Sequence, residues 1–277
     1  MSPKTTNLII RTLTGILFVA VMVGAIVYSP LTMFLLFACI TSLAITEFCN
    51  IVNEREDVDI NPTICSVSGV YLFAASFLYN YGLPLAQNIF TPYLICIIYL
   101  LISELYLQRE SPINNWAYAM MSQLYIAVPF SIIPCLAFSN NGFVWIYPLA
   151  IFLFLWTNDT GAYCFGTLFG KHRLFERISP KKSWEGSIGG GVLSLVVASV
   201  VAYFDQSLNL WQWLGFALVV VVFGTWGDLV ESLLKRQLGI KDSGNILPGH
   251  GGMLDRFDSS LLAIPAVAVY LYFLSII

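Results

Sequence analysis

The sequence carries little charge. Only 10% of its 277 residues are Asp, Glu, Lys or Arg, against about 25% in an ordinary soluble domain. Hydrophobic residues make up 58%, with a mean hydropathy of +0.78. These figures exclude a water-soluble globular protein and a polar disordered chain alike. Collagen would need a Gly-X-Y period, and a coiled coil would need heptads rich in Ala, Glu, Lys, Leu and Arg; neither is present. Histidine is almost missing: His172 and His250 are the only two, too few for an imidazole-rich metal site. The six cysteines, Cys39, Cys49, Cys65, Cys96, Cys135 and Cys164, stand in apolar stretches without a CxxC pair. They read as small core residues, not as disulfides or zinc ligands. The net charge of −3 provides no basic field, so no nucleic-acid partner is expected. An all-α integral membrane protein is the class that remains.

What the sequence has instead is long apolar runs. A membrane-spanning helix needs about 20 apolar residues, and nine runs approach that length, at 12–28, 31–52, 64–80, 89–107, 117–138, 143–165, 187–204, 211–231 and 259–277. The first follows Lys4 and Arg11 but lacks an A-x-A-like cleavage site, and is read as a retained span, not a signal peptide. Polar connections fall at 53–63, 108–116, 170–186 and 235–258. Alternation across nine spans puts the N-terminus and all four of these on one side. That side then holds all 13 basic residues, and the opposite side holds only Asp205 among charged groups. The positive-inside rule accordingly predicts a cytoplasmic N-terminus, cytoplasmic polar loops and a C-terminus on the opposite side. Residues 1–150 carry no chemical motif and are expected to be a lipid-facing helical scaffold. Chemistry is expected in 151–277, around the loops 170–186 and 235–258.

Charge within or beside a span is costly, about 2.5–3.5 kcal/mol at a helix centre on insertion scales, so each such residue calls for a partner or a role. Glu47 and Glu104 lie near span ends, where water can hydrate them, and read as interfacial. Asp159 lies in Trp156-Thr157-Asn158-Asp159-Thr160-Gly161-Ala162-Tyr163. Helical spacing puts Asp159 and Tyr163 on one face that would point into a protein interior, followed by Gly166 and Gly170 at a spacing that lets helices approach closely. Asp159 could serve a site or simply pack one helix against another. Asp228, Glu231, Ser232 and Lys235 share one stripe of the eighth run, with Glu231 and Lys235 in the favourable i, i+4 order. A solvated helix end accounts for that pair but not for Asp228, a full turn deeper.

The two longest loops mix cations with glycines and carboxylates. One contains Lys171-His172-Arg173 and Ser179-Pro180-Lys181-Lys182-Ser183-Trp184-Glu185-Gly186. The other runs from Lys235-Arg236 through Lys241-Asp242-Ser243-Gly244 and Pro248-Gly249-His250-Gly251-Gly252 to Asp255-Arg256-Phe257-Asp258. Glycines expose backbone N–H groups to anions, lysine and arginine neutralise phosphate oxygens, and aspartates hold a divalent cation that bridges phosphates. Asp255 and Asp258 would lie one turn apart as the ninth run begins, near Asp228 if the last two runs form a hairpin. A carboxylate site for Mg²⁺ at the membrane surface is therefore expected. Neither a Walker A loop nor a GxGxxG turn after a strand is present, so any nucleotide would be bound on another framework.

The stretch Ser232 to Asp258, reading SLLKRQLGIKDSGNILPGHGGMLDRFD, resembles the signature of the phosphatidate cytidylyltransferases, also called CDP-diacylglycerol synthases. The segments Asn158 to Tyr163 and Ser179 to Gly186 resemble that family's other blocks, in the same order. The resemblance implies a multi-helix, commonly homodimeric protein of the bacterial cytoplasmic membrane. It would convert CTP and phosphatidate to CDP-diacylglycerol and pyrophosphate with Mg²⁺. It further implies Asp228, Asp255 and Asp258 at the metal. Lys181, Lys182, Lys235, Arg236, Lys241 and Arg256 would stand at phosphates, with Ser179, Gly251 and Gly252 beside them. Asp159, Glu185, Asp242 and His250 are further candidate site residues, and His250 could equally stabilise its glycine-rich turn. Two other readings stay open: a CTP-dependent enzyme acting on an ether-lipid or polyprenyl phosphate, and a transporter of an anionic solute.

Overall fold

A computed structural model describes residues 3–82, 87–139, 142–244, 246 and 251–276, without the side chains of residues 3–11 and 87. Among the described residues the chain is almost wholly helical. In order it forms α1 (Pro3–Tyr28), α2 (Pro30–Val52), α3 (Pro62–Asn80), α4 (Thr91–Leu107), α5 (Pro112–Met121), α6 (Val128–Ala137), α7 (Ile146–Phe169), α8 (Trp184–Phe204), α9 (Leu210–Gln237) and α10 (Leu254–Phe273). Two small antiparallel hairpins interrupt it: β1 (Phe138–Ser139) with β2 (Gly142–Phe143), and β3 (Arg173–Phe175) with β4 (Ser179–Ser183). Each apolar run found in the sequence coincides with one of these helical rods, α5 and α6 acting as a single rod. Among the described residues, six rods are long and apolar enough to cross a membrane, namely α2, α3, α4 with its preceding turn, α5–α6, α8 and α9.

The helices begin where local chemistry lets them. Proline opens α2, α3 and α5, where its fixed φ suits a helix and its missing N–H costs nothing. Ser29 caps α2 through a reciprocal pair of bonds with Thr32, and Asn61 caps α3 by accepting from the N–H groups of Thr63 and Ile64 at 3.0 and 3.2 Å. Between α5 and α6 the chain widens into a π-turn over Ser122–Ala127. Pro129, just beyond, has no N–H to give the carbonyl of Tyr125 and its ring crowds that oxygen, and a local i to i−5 register accommodates both demands.

The chain divides into two compact units. The first comprises Met1–Ile146 and Leu238–Phe257, the second Tyr147–Gln237 and Asp258–Ile277. The stretch 238–257, expected to belong with the second half, instead clusters with the first. The first unit centres on the buried rings of Phe37, Phe48, Phe73 and Phe130. In the second, Phe154, Trp213 and Phe216 interlock, with Phe154 and Phe216 meeting edge to face at 5.8 Å. Outward faces are apolar: Leu94, Ile95 and Ile98 on α4, and Val192, Val196 and Val200 on α8, are each more than half exposed. In water such faces would aggregate; in lipid they need no cover.

Candidate active site

In the second unit, a polar cavity of about 310 Å³ opens where α7, the β3–β4 hairpin, α8, α9 and the start of α10 converge. Close helix packing builds it. A Cβ at Gly190 of α8 would lie 2.7 Å from Asn158 Oδ1 and also strike the Asn158 carbonyl, so only glycine lets α8 approach α7 at this level. Asn158 is consequently buried, at 4% exposure, and its Oδ1 has no hydrogen-bond partner within the described protein although it borders the cavity. Ser183 caps α8 by accepting from the Gly186 N–H at 3.1 Å, which fixes the end of β4. That strand delivers Lys181 and Lys182 to the cavity wall.

Carboxylates stand opposite the lysines. Asp228 of α9 forms an ion pair with Lys182 and accepts a hydrogen bond from Ser232 at 3.1 Å. Asp159 of α7 lines the same cavity and is exposed. The interior position expected for Asp159 and Tyr163 is therefore not found. A helical period tells which residues share a face, whereas this face meets an open cavity. Asp258 of α10 is half-buried, accepts from the Ser259 N–H at 2.5 Å, and stands within electrostatic reach of Asp228, Asp159 and Lys235. One turn below Asp228, Glu231 is fully buried and paired with Lys235 at 3.1 Å, which matches the expected i, i+4 pair. α9 and α10 also meet near their far ends, where Tyr270 of α10 donates to the Gln212 carbonyl of α9 at 2.9 Å.

Among the described residues, no three or more of His, Cys, Asp and Glu stand close enough to cage a metal ion. Asp228 and Asp258, two carboxylates within electrostatic reach of each other, are donors of the kind magnesium takes together with waters and substrate phosphates. The described residues lining the cavity include no histidine or cysteine, so they offer no imidazole-activated nucleophile. The arrangement is one of cations, carboxylates and hydroxyls, able to bind and orient phosphates.

A second polar cluster belongs to the first unit. Glu47 of α2 is 6% exposed, against the expectation that water would hydrate it at its helix end. Its carboxylate accepts from the Ser243 hydroxyl, from the Met253 N–H at 2.7 Å and from the Leu254 N–H at 3.2 Å. It thus satisfies donors at the start of α10, whose N-terminus favours negative charge. Asp255 completes the clasp, accepting at Oδ2 from the Ser243 N–H at 2.9 Å and the Gly252 N–H at 2.8 Å. Gly252 is needed because any Cβ there would overlap the Glu47 carboxylate. This clasp is why 238–257 folds with the first unit. Glu104, the other glutamate expected to be hydrated, is likewise buried, bonded to Arg109 at 2.7 Å and Asn115 at 2.9 Å.

Of the residues singled out by sequence, Asp159, Lys181, Lys182 and Asp228 line one cavity, with Asp258 and Lys235 close by. Ser179 is paired with Phe175 in the hairpin and does not line it. Glu185 does not line it either: its carboxylate accepts from the backbone N–H groups of Lys171 and His172 at 3.1 and 3.2 Å and meets His172 Nδ1 at 2.6 Å, so it folds the turn that precedes β3. Arg236 ends α9 in the second unit; Lys241, Asp242, Gly251, Gly252, Asp255 and Arg256 belong to the first. His250 lies outside the described residues. Asn158, Glu47 and Ser243 are polar residues of these clusters that sequence reasoning gave no part. Asn158 stood beside Asp159 in a recognisable block, and Glu47 stood in an apolar run, so both had left a trace.

The sequence model of the cytidylyltransferase family matches residues 9–274. The phosphatidate cytidylyltransferase of Staphylococcus aureus (strain COL) is 36% identical over 264 residues, covering 95% of this chain and 98% of that protein. The enzyme of that name from Staphylococcus haemolyticus is 36% identical with the same coverage. One from Staphylococcus epidermidis is 44% identical over 156 residues, 56% of this chain and 58% of that protein. Matched almost end to end, and carrying its cations and carboxylates in the family's blocks, this chain belongs to the cytidylyltransferase family.

Proposed function

We propose that the protein transfers the cytidylyl group of CTP to phosphatidate, forming CDP-diacylglycerol and pyrophosphate for phospholipid synthesis. One observation carries the reading: Lys181 and Lys182 face Asp159 and Asp228 in a single cavity, in a chain whose near full-length relatives are named phosphatidate cytidylyltransferases. Both reactants are anions, so charge neutralisation and positioning should supply most of the catalysis. The lipid phosphate is already a nucleophile at neutral pH. Its oxygen bonds to the α-phosphorus of CTP as the bond to the β-phosphate oxygen breaks, and pyrophosphate leaves with that electron pair. No protein base is required.

Lys182, held by Asp228, and Lys181, exposed at the cavity, neutralise phosphate oxygens. The Asn158 carbonyl oxygen and the hydroxyls of Ser187 and Thr225 supply further polar contacts. Asp228 and Asp258 are the two carboxylates that would hold Mg²⁺, with waters and substrate phosphates completing its shell. Bound there, the ion would screen the phosphates and stabilise charge on the departing pyrophosphate. Asp255, expected at the metal, commits Oδ2 to two backbone N–H groups and is read as organising its loop. Lys235, Arg236, Lys241 and Arg256 are assigned to phosphates by their place in the family's blocks.

The test is Mg²⁺-dependent formation of labelled CDP-diacylglycerol from CTP and phosphatidate by purified protein, with Asp228→Asn and Asp255→Asn alongside. Product from the wild type and its loss in Asp228→Asn supports the reading. No product from diacyl or ether phosphatidate would overturn it. Asp255→Asn separates a metal role, which magnesium titration would reveal as a raised requirement, from a loop role, which would not respond to magnesium.

Nine spans, a cytoplasmic N-terminus, a C-terminus on the opposite side and a site facing the cytoplasm of a bacterial inner membrane complete the reading, supported by the one-sided placement of basic residues. Cysteines placed at Glu110 and Ser207 test it. In right-side-out vesicles, an impermeant maleimide should add label at 207 and none at 110. A homodimer is proposed on the family resemblance, and sedimentation in detergent tests that.

A further inference from the structure

The second unit holds another concavity, and its chemistry is the opposite of the first. A groove of about 430 Å³ runs between α8 and α9, with no charged residue in its lining. Ile188, Val192 and Leu195 form one wall and Leu218, Val221 and Val222 the other. Two residues, Ser187 and Thr225, line both this groove and the polar cavity. Polar cavity and apolar groove are therefore one continuous surface in which phosphate-binding groups give way to hydrocarbon at a pair of hydroxyls. Trp184 and Trp226 flank the groove near those hydroxyls and are each about half exposed, and tryptophan favours the level where headgroups meet acyl chains.

We propose that this groove is the track for one acyl chain of the phosphatidate, with its depth governed by Gly191. The inference rests on the reaction proposed above. An amphiphile whose phosphate lies among Lys181, Lys182 and Asp228 must leave the cavity through an apolar exit, and the rim at Ser187 and Thr225 opens onto one. From Ser187 to Leu195, α8 advances about 12 Å, and beyond it Val196 and Val200 continue the exposed apolar stripe towards the bilayer interior. Gly191 lies in the groove lining, where a Cβ would stand 3.4 Å from Val221 Cγ1. The absent side chain keeps the groove open, and a larger residue would fill it.

The full-length protein in mixed micelles is assayed with long-chain dioleoyl phosphatidate and with water-soluble dihexanoyl phosphatidate. Gly191→Leu should lower the ratio of long-chain to short-chain kcat/KM about tenfold, the effect of roughly two methylenes denied burial, with the KM for the long-chain substrate moving more than kcat. Leu218→Trp, at a position more than half exposed, repeats the test should a leucine at 191 block folding. An unchanged ratio in folded variants overturns the proposal, and so does a change of oligomeric state with the ratio held, which would give the groove to a second copy. A phosphatidate carrying a diazirine on its acyl chain provides a readout independent of turnover. Labelling should fall on 188–195 and 218–222 and be competed by dioleoyl phosphatidate but not by the matching phosphatidylcholine. Specific labelling without product would refute the reaction and leave a lipid-binding groove. Product without either ratio shift or labelling would refute the groove alone.

Discussion

Glu47→Gln is the substitution whose effect the geometry sets most directly. The carboxylate accepts from one hydroxyl and two backbone N–H groups at the start of α10, and hydrogen bonds to a charged acceptor contribute about 1.5–3 kcal/mol each. The amide keeps one acceptor oxygen and turns an NH₂ towards a donor, so about one bond is lost and one donor is left facing another. The sum is about 3 kcal/mol of local stability, roughly a hundredfold in the opening equilibrium of the clasp. The loss falls on the loop that carries Ser243 and Asp255, not on the α2–α3 core. Hydrogen exchange at the Met253 and Leu254 amides should accelerate by about that factor while amides within α3 keep their protection. CDP-diacylglycerol formation should fall with the fold intact, and Gly252→Ala, whose methyl would press on the same carboxylate, should reproduce the phenotype. Native protection at 253 and 254 in Glu47→Gln would show that the clasp does not hold the loop, and the reasoning would fail.

Other perturbations follow from single contacts. Lys182→Met removes a phosphate cation and leaves Asp228 without its ion-pair partner; kcat/KM should fall about a hundredfold or more. The exchanged pair Lys182→Asp with Asp228→Lys should not recover it, whereas a purely structural ion pair would be restored. Arg109→Ala strands the buried Glu104 carboxylate, which keeps only Asn115. A loss of about 3 kcal/mol should appear in the thermal midpoint, with turnover per folded molecule held because neither residue lines the cavity. Gly190→Val drives a side chain into Asn158 at an overpacking cost of about 1–3 kcal/mol; activity should drop further than stability does, since Asp159 is the next residue on α7.

The helices were legible because a membrane leaves the chain few choices. Runs of apolar residues of spanning length form helices to satisfy their own backbone, and Ser29-Pro30 and Asn61-Pro62 mark starts by caps that act over a few residues. The π-turn at Ser122–Ala127 was not legible, because it depends on where the neighbours of Pro129 must pack. Nor was the β3–β4 hairpin: its strands are short, polar and irregular in register, and Glu185 ties its entry from outside the strands.

The site divides along the same line. Lys181, Lys182, Asp159 and Asp228 were recognisable from the chemistry of their loops and helix faces, and one cavity unites them. Glu47 was noticed and misjudged. A carboxylate in an apolar run must find either water or donors, and nothing local decides which; its donors come from residues 243, 253 and 254, about two hundred positions away. Gly252 shows the same dependence in reverse, being glycine because of an atom that belongs to α2. Phosphate chemistry is thus written in contiguous motifs, since a loop must present several groups to one small anion. The support beneath such a loop is written as isolated polar residues in distant helices, and a buried charge without a local partner is the mark by which to search for it.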